Sequence, residues 1–159
     1  MAVPHSLPQR VFLLAYDPDK GRVGLGTNLG AMLRAAAHAD LYRGGHLTDE
    51  RGRAAVGVRH PCRDPVLGLF PTTRVTIRDP RARTELLDRV GTALHEPIGG
   101  IDPADAALVA ILAAGDLRLV LDRKTGRAGK ARIQELTRLS GPIGPALHNS
   151  IRAAAIGEL

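Results

Sequence analysis

The sequence predicts a mainly α domain, compact around one central buried helix and carrying one or two small β-hairpins. Three observations lead there. Helix-entry signals recur in the second half, at Asp79-Pro80 and again at Asp102-Pro103. The segment Ala104 to Ala114 is apolar almost all round, the pattern of a helix enclosed by a core. Aromatic residues make up only 3% of the chain, so that core must be built from Leu, Ile, Val and Ala.

Leu7 to Tyr16 (LPQRVFLLAY) reads as a short helix, stopped by the turn-forming run Asp17-Pro18-Asp19-Lys20-Gly21. From about Thr27 to Arg43 the spacing is helical, with Leu29, Met32, Leu33, Ala36 and Ala37 on one side. Thr27 or Asn28 serves as its N-cap and Gly44-Gly45 ends it. His46 to Val58 reads as a hairpin, with one arm beginning at Leu47, a turn through Asp49 to Arg53, and a second arm over Ala54 to Val58. His60 to Asp64 (HPCRD) is a loop. Val66 to Phe70 and Arg74 to Arg78 are two short extended pieces around Pro71-Thr72-Thr73.

Asp79 then caps a helix that starts at Pro80 and carries Leu86, Leu87, Val90 and Leu94 as its apolar stripe. Asp102 caps the central helix, which places Leu108, Val109, Ile111 and Leu112 on all sides and stops at Gly115. Arg123 to Leu139 is expected as one covering helix, with Ile133 and Leu136 among Arg127, Lys130, Arg132, Glu135 and Arg138. Pro145 starts a last helix with Leu147, Ile151 and Ala154 inward.

A length of 159 residues fits a single domain, residues 1–159. Hydrophobic residues at 44% and charged residues at 24% exclude wholesale disorder. One Cys excludes an intrachain disulfide and reads as a reducing compartment. No apolar run approaches a membrane span, and Met1 to Arg10, with Pro4 and Pro8, does not read as a signal peptide. Lys and Arg number 22 against 16 Asp and Glu, a net charge of +6, and nearly all the positive charge is Arg. That balance favours polyanionic partners: nucleic acid, anionic lipid headgroups or an acidic protein.

Enzymatic constellations are missing. Gly21, Gly24, Gly26 and Gly30 lie close together, but GRVGLGTNLG lacks the closing Gly-Lys-Ser/Thr of a phosphate loop and the glycine spacing of a dinucleotide fold. His60 and Cys62 are two soft ligands with no second pair, so they make no metal site. Asp102 and Asp105 read as helix-start carboxylates favoured by the dipole, ahead of an acid–base pair. No cofactor is implied.

Two binding signals remain. A helix followed by a hairpin with Arg51, Arg53 and Arg59 at its basic tips suits a winged-helix reader, although Asn28 and Arg34 are the main groups able to read base edges. Alternatively, Val66-Leu67-Gly68-Leu69-Phe70 is flanked by Arg63 and Arg74, and an apolar patch bordered by cations suits insertion at an anionic membrane. An ordinary core strand accounts for the same patch.

Four segments, in order, resemble the Golgi phosphoprotein 3 family. They are Val11 to Arg22 (VFLLAYDPDKGR), Ala39 to Leu47 (ADLYRGGHL), Leu67 to Arg74 (LGLFPTTR), and the run from Asp79 through Asp105-Ala106-Ala107-Leu108-Val109-Ala110-Ile111-Leu112 to Ala131-Arg132-Ile133-Gln134-Glu135-Leu136. The third is the most specific and is close to what bacterial members carry. The resemblance covers nearly the whole chain, as a shortened member whose middle helical section has no counterpart between about residues 58 and 66.

The resemblance implies a cytoplasmic, non-enzymatic adaptor associated peripherally with the cytosolic membrane face, recognising phosphatidylinositol 4-phosphate through a basic pocket. Arg34 matches the pocket arginine of the early helix, whereas the pocket tryptophan falls on Leu25, so the aromatic contact is missing. The family's remaining basic pair lies in the missing section. On this basis Arg34 is expected to contact lipid phosphate, with Arg22, Arg43 and Arg74 as weaker candidates. Val66, Leu67, Leu69 and Phe70 are expected to insert into the membrane or to mediate self-association. Membrane-protein clients, a homo-oligomer or a longer paralogue are the implied protein partners. A protein-interaction scaffold or assembly subunit without lipid binding is the alternative, and nucleic-acid binding is the least favoured.

Overall fold

The computed structural model describes residues 3–23, 28–51, 53–57, 80–115, 120 and 123–141. Helix α1 (Leu7–Ala15) passes directly into strand β1 (Tyr16–Asp17), which pairs antiparallel with β2 (Arg22–Val23). Asp17 holds the turn between them. Its carboxylate accepts the backbone N–H groups of Asp19 at 3.1 Å and Lys20 at 3.2 Å and meets Lys20 Nζ at 3.0 Å. Gly21 closes the turn at φ 63°, a conformation that a side chain would oppose. The turn is therefore where the sequence put it, with a short ribbon added on its two sides.

Helix α2 (Leu29–Arg43) buries Met32, Ala35, Ala36 and Ala39, with Leu29 and Leu33 half-buried against the same core. Its buried face is mostly alanine, which allows close approach to α1, its main neighbour. The hairpin of β3 (Leu47–Glu50) and β4 (Arg53–Val56) follows, in register from Leu47 opposite Val56 to Glu50 opposite Arg53. The strands run nearer the tip than the expected turn through Asp49 to Arg53. Two residues link them, and Arg51 adopts φ 57°, as a two-residue hairpin turn requires.

Helix α3 (Pro80–His95) buries Ala82, Leu86, Val90 and Ala93, and a 3₁₀ turn (Ile98–Gly100) leads to the central helix α4 (Pro103–Ala114). Asp102 caps α4, its side chain accepting the Ala104 N–H at 2.8 Å. Every residue from Ala104 to Leu112 is buried. Leu7, Val11 and Leu14 of α1, Met32 and Ala36 of α2, and Leu86 and Val90 of α3 share one core with Leu108, Val109, Ile111 and Leu112. Each large aliphatic side chain enclosed there contributes about 1.5–3 kcal/mol.

Gly115 ends α4 with a right-handed backbone, so its φ does not demand glycine. Space does. A Cβ at Gly115 would fall 2.6 Å from Met32 Cγ and 2.8 Å from Met32 Cε.

The expected single helix over Arg123 to Leu139 is two helices, α5 (Arg123–Ala128) and α6 (Lys130–Leu139). Glycines at 126 and 129 explain the break, since each costs about 1 kcal/mol in a helix interior. Within α6 only Leu136 is buried, with Ile133 half-buried. Arg132 ties α6 to the end of α3, donating from Nε to the Ala93 carbonyl at 3.0 Å and from its second amino group to the Glu96 carbonyl. A cation there also suits the negative end of the α3 dipole. The HPCRD loop, the extended pieces 66–70 and 74–78, the Asp79 cap and the helix expected from Pro145 lie outside the described residues.

Candidate functional site

The outer face of α2 carries Gly30, Arg34 and His38 at four-residue spacing, all exposed. Arg34 is five positions after Leu29, about 140° round the helix, and so leaves the core stripe. Its Nη1 lies 3.7 Å from where a Cβ on Gly30 would stand. The side chain therefore runs back along the helix toward its N-terminus, the direction in which helical Cβ atoms lean. At that end Asn28 makes no side-chain cap bond and the first turn holds no acidic residue. The guanidinium and the positive end of the dipole thus reinforce one another. Among the described residues, no carboxylate forms an ion pair with Arg34.

Arg22, on β2, is also exposed and has no carboxylate partner among the described residues. Arg43 differs. Its guanidinium meets Asp40 at 3.3 Å and Asp102 at 4.0 Å, and its side chain is 38% exposed. Arg74, Leu25, Val66, Leu67, Leu69 and Phe70 lie outside the described residues.

Arg43 leads into a network that sequence reasoning missed. Asp40 uses its other oxygen to accept the Leu7 N–H at 2.6 Å, so that α2 caps the start of α1. Arg89 of α3 reaches Asp102 at 3.4 Å and Asp105 at 2.9 Å. Asp105 also holds Arg10 of α1 at 3.0 Å, and Arg10 Nε donates to the Pro4 carbonyl at 2.6 Å. Burial pushes the Arg10 guanidinium below its ordinary value, aided by the neighbouring charge of Arg89, while Asp105 and Asp102 oppose that shift. The signal was a charge inside each of two apolar helical stretches, Arg10 in LPQRVFLLAY and Asp105 in ADAALVAILAA. Buried ions on separate helices call for one another.

These contacts bear on the other readings. Asp105 is bound by two guanidiniums and caged between helices, which fits a structural carboxylate rather than an acid–base pair. At the hairpin tip, Arg51 is exposed, but Asp49 and Glu50 are exposed beside it, which weakens the tip as a phosphate-binding wing. Among the described residues there is no cluster of three His, Cys, Asp or Glu side chains suited to a metal ion. Among them, too, no helix is long and apolar enough to cross a membrane.

Comparison with known proteins supplies one result. The family model described as Golgi phosphoprotein 3 (GPP34) matches residues 7–67 and 57–154. The two stretches overlap at residues 57–67. No curated protein and no solved structure matches the chain.

Proposed function

The chain belongs to the Golgi phosphoprotein 3 family, and from that premise we propose that it is a non-enzymatic peripheral membrane adaptor binding anionic phospholipid headgroups. A phosphatidylinositol 4-phosphate-like headgroup is the ligand by family resemblance. The observation that carries the reading is Arg34: exposed, without a carboxylate partner among the described residues, and extended over Gly30 toward an uncapped helix start. A guanidinium beside free N–H groups is a site for an oxyanion.

Arg22 adds a second cation from β2. Arg43 is the weakest of the described candidates, because Asp40 and Asp102 already occupy it. Arg74 is proposed as a further phosphate contact, and Val66, Leu67, Leu69 and Phe70 as the apolar insertion. Membrane proteins are the proposed clients, met at the cytosolic membrane face. The alternative of a protein scaffold without lipid binding predicts the opposite result in one experiment.

That experiment is sedimentation with neutral and with anionic liposomes, beside a DNA-binding assay at the same salt. Binding to anionic vesicles alone, falling steeply as salt rises, is the expected outcome, since each Lys or Arg near the surface contributes about 1 kcal/mol and is screened over a Debye length. Equal partitioning onto both vesicle types, or none onto either, overturns the electrostatic adaptor.

A further inference from the structure

The lipid-facing reading of α2 leaves one exposed residue of that face unexplained. His38 stands four positions after Arg34, on the same side of the helix and one turn further from its N-terminus. It is exposed, and among the described residues it has no hydrogen-bond or ion-pair partner. Resting on the proposal that this face meets an anionic membrane, we infer that His38 is a second headgroup contact, and one that engages fully only when protonated.

A flat anionic surface laid against Arg34 meets the residues in line with it, Gly30 on one side and His38 on the other. Gly30 offers no side chain to stand between the helix and the surface. His38 carries an imidazole, the side-chain type that changes charge between pH 5 and 8. A phosphate beside it favours the charged form, so binding takes up a proton and acidification strengthens binding.

The surrounding charges leave that role open. On α2 itself, Asp40 is bound to the Leu7 N–H and to Arg43, so its carboxylate is directed to the network. On α1, Arg10 is turned to Asp105, and on α4 Asp102 and Asp105 are turned to Arg89, Arg43 and Arg10. The hairpin packs at the far end of the same face, where Tyr42 donates its hydroxyl to the Thr48 carbonyl at 3.2 Å. Asp49 and Glu50 follow there as exposed carboxylates. The cationic strip is therefore Arg34 and His38, bounded beyond Tyr42 by negative charge.

The test uses vesicles of phosphatidylcholine with phosphatidylglycerol, a phosphodiester whose charge is constant over the range. Sedimentation is compared between about pH 8 and about pH 5.5. The intact protein is expected to bind about five-fold more tightly at the lower pH, the effect of one added surface charge. His38→Ala is expected to lose that gain, and His38→Arg to bind at both pH values as the intact protein does at the lower. A gain that persists in His38→Ala, or binding by the intact protein that is equal at both pH values, overturns the role of His38 and leaves the adaptor reading standing. No binding by the intact protein at either pH overturns the adaptor reading, and this inference with it.

Discussion

Arg10 and Asp105 are separated by 95 positions in sequence and meet at 3.0 Å, with no more than a tenth of either side chain exposed. Their contact joins α1 to the central helix, and Arg89 brings α3 to the same carboxylate. A buried ion pair is held by the cost of separating it more than by net gain over apolar packing.

The two partners are therefore unequal. Asp105→Ala strands the buried Arg10 and leaves Arg89 with Asp102 alone, and should cost about 3–5 kcal/mol of stability. Arg10→Ala leaves Asp105 bound to Arg89 and should cost less. Urea unfolding of the two variants measures the difference, and equal losses would show that Arg89 does not hold the carboxylate.

Gly115→Ala drives a methyl group into Met32, and overpacking of this kind costs about 1–3 kcal/mol. Shortening the neighbour should relieve it. In the Gly115→Ala/Met32→Ala double variant the alanine at 115 is expected to add little beyond the loss caused by Met32→Ala alone. Thermal unfolding of the four proteins in the cycle reads this coupling. Additive losses would place the strain elsewhere.

Arg34→Ala should leave stability within about 0.5 kcal/mol, as at other exposed positions. Binding to anionic vesicles should weaken by about 1.5–3 kcal/mol if a charge-assisted phosphate contact is lost. Arg43→Ala should behave in the reverse way, costing up to about 1 kcal/mol of stability through its half-exposed pairs and changing vesicle binding little. Denaturation midpoints and vesicle sedimentation on the same preparations separate the two patterns.

Asp17 carries a pH dependence. The hydrogen bond from the Lys20 side chain, together with the backbone N–H groups of Lys20 and Asp19, holds its carboxyl below the ordinary value of 3.8. A carboxyl lowered in the folded state stabilises the fold above its unfolded pKa, and that contribution disappears as pH falls through the folded one. Acidification below the ordinary value should thus lower the melting temperature more in the intact protein than in Asp17→Asn. Parallel melting curves against pH would remove Asp17 from the acid response.

Much of the fold was legible because local rules and burial agreed. Asp102-Pro103 announced the start of α4, and its unbroken apolar run announced its central position. Where they disagreed, the sequence misled. Ile133 and Leu136 mark only the segment after Gly129, and no apolar stripe crosses Gly126 and Gly129, whose backbone cost ends one helix before the other begins. The Arg34 position was legible as a residue directed away from the Leu29 stripe. The occupation of Arg43 was only half legible: Asp40 stands three positions before it on the same helix, whereas its second partner, Asp102, belongs to another element that no local pattern links to it. Gly115 looked like a helix stop, while its need for glycine comes from Met32, far away in the chain.

The Asp40 bond to the Leu7 N–H also sets an order of events during synthesis. The nine-residue α1 has Ser6 at its cap position, yet that side chain makes no cap bond. Helices this short are marginal alone. Its carboxylate arrives 33 residues later, which at roughly 5–20 residues per second is about 2–7 s of translation. Through that interval the leading segment, with its leucines and valine, has neither its cap nor the helix it packs on. Helix α1 is the one that must wait, and its exposed apolar residues are what a chaperone on the emerging chain would meet.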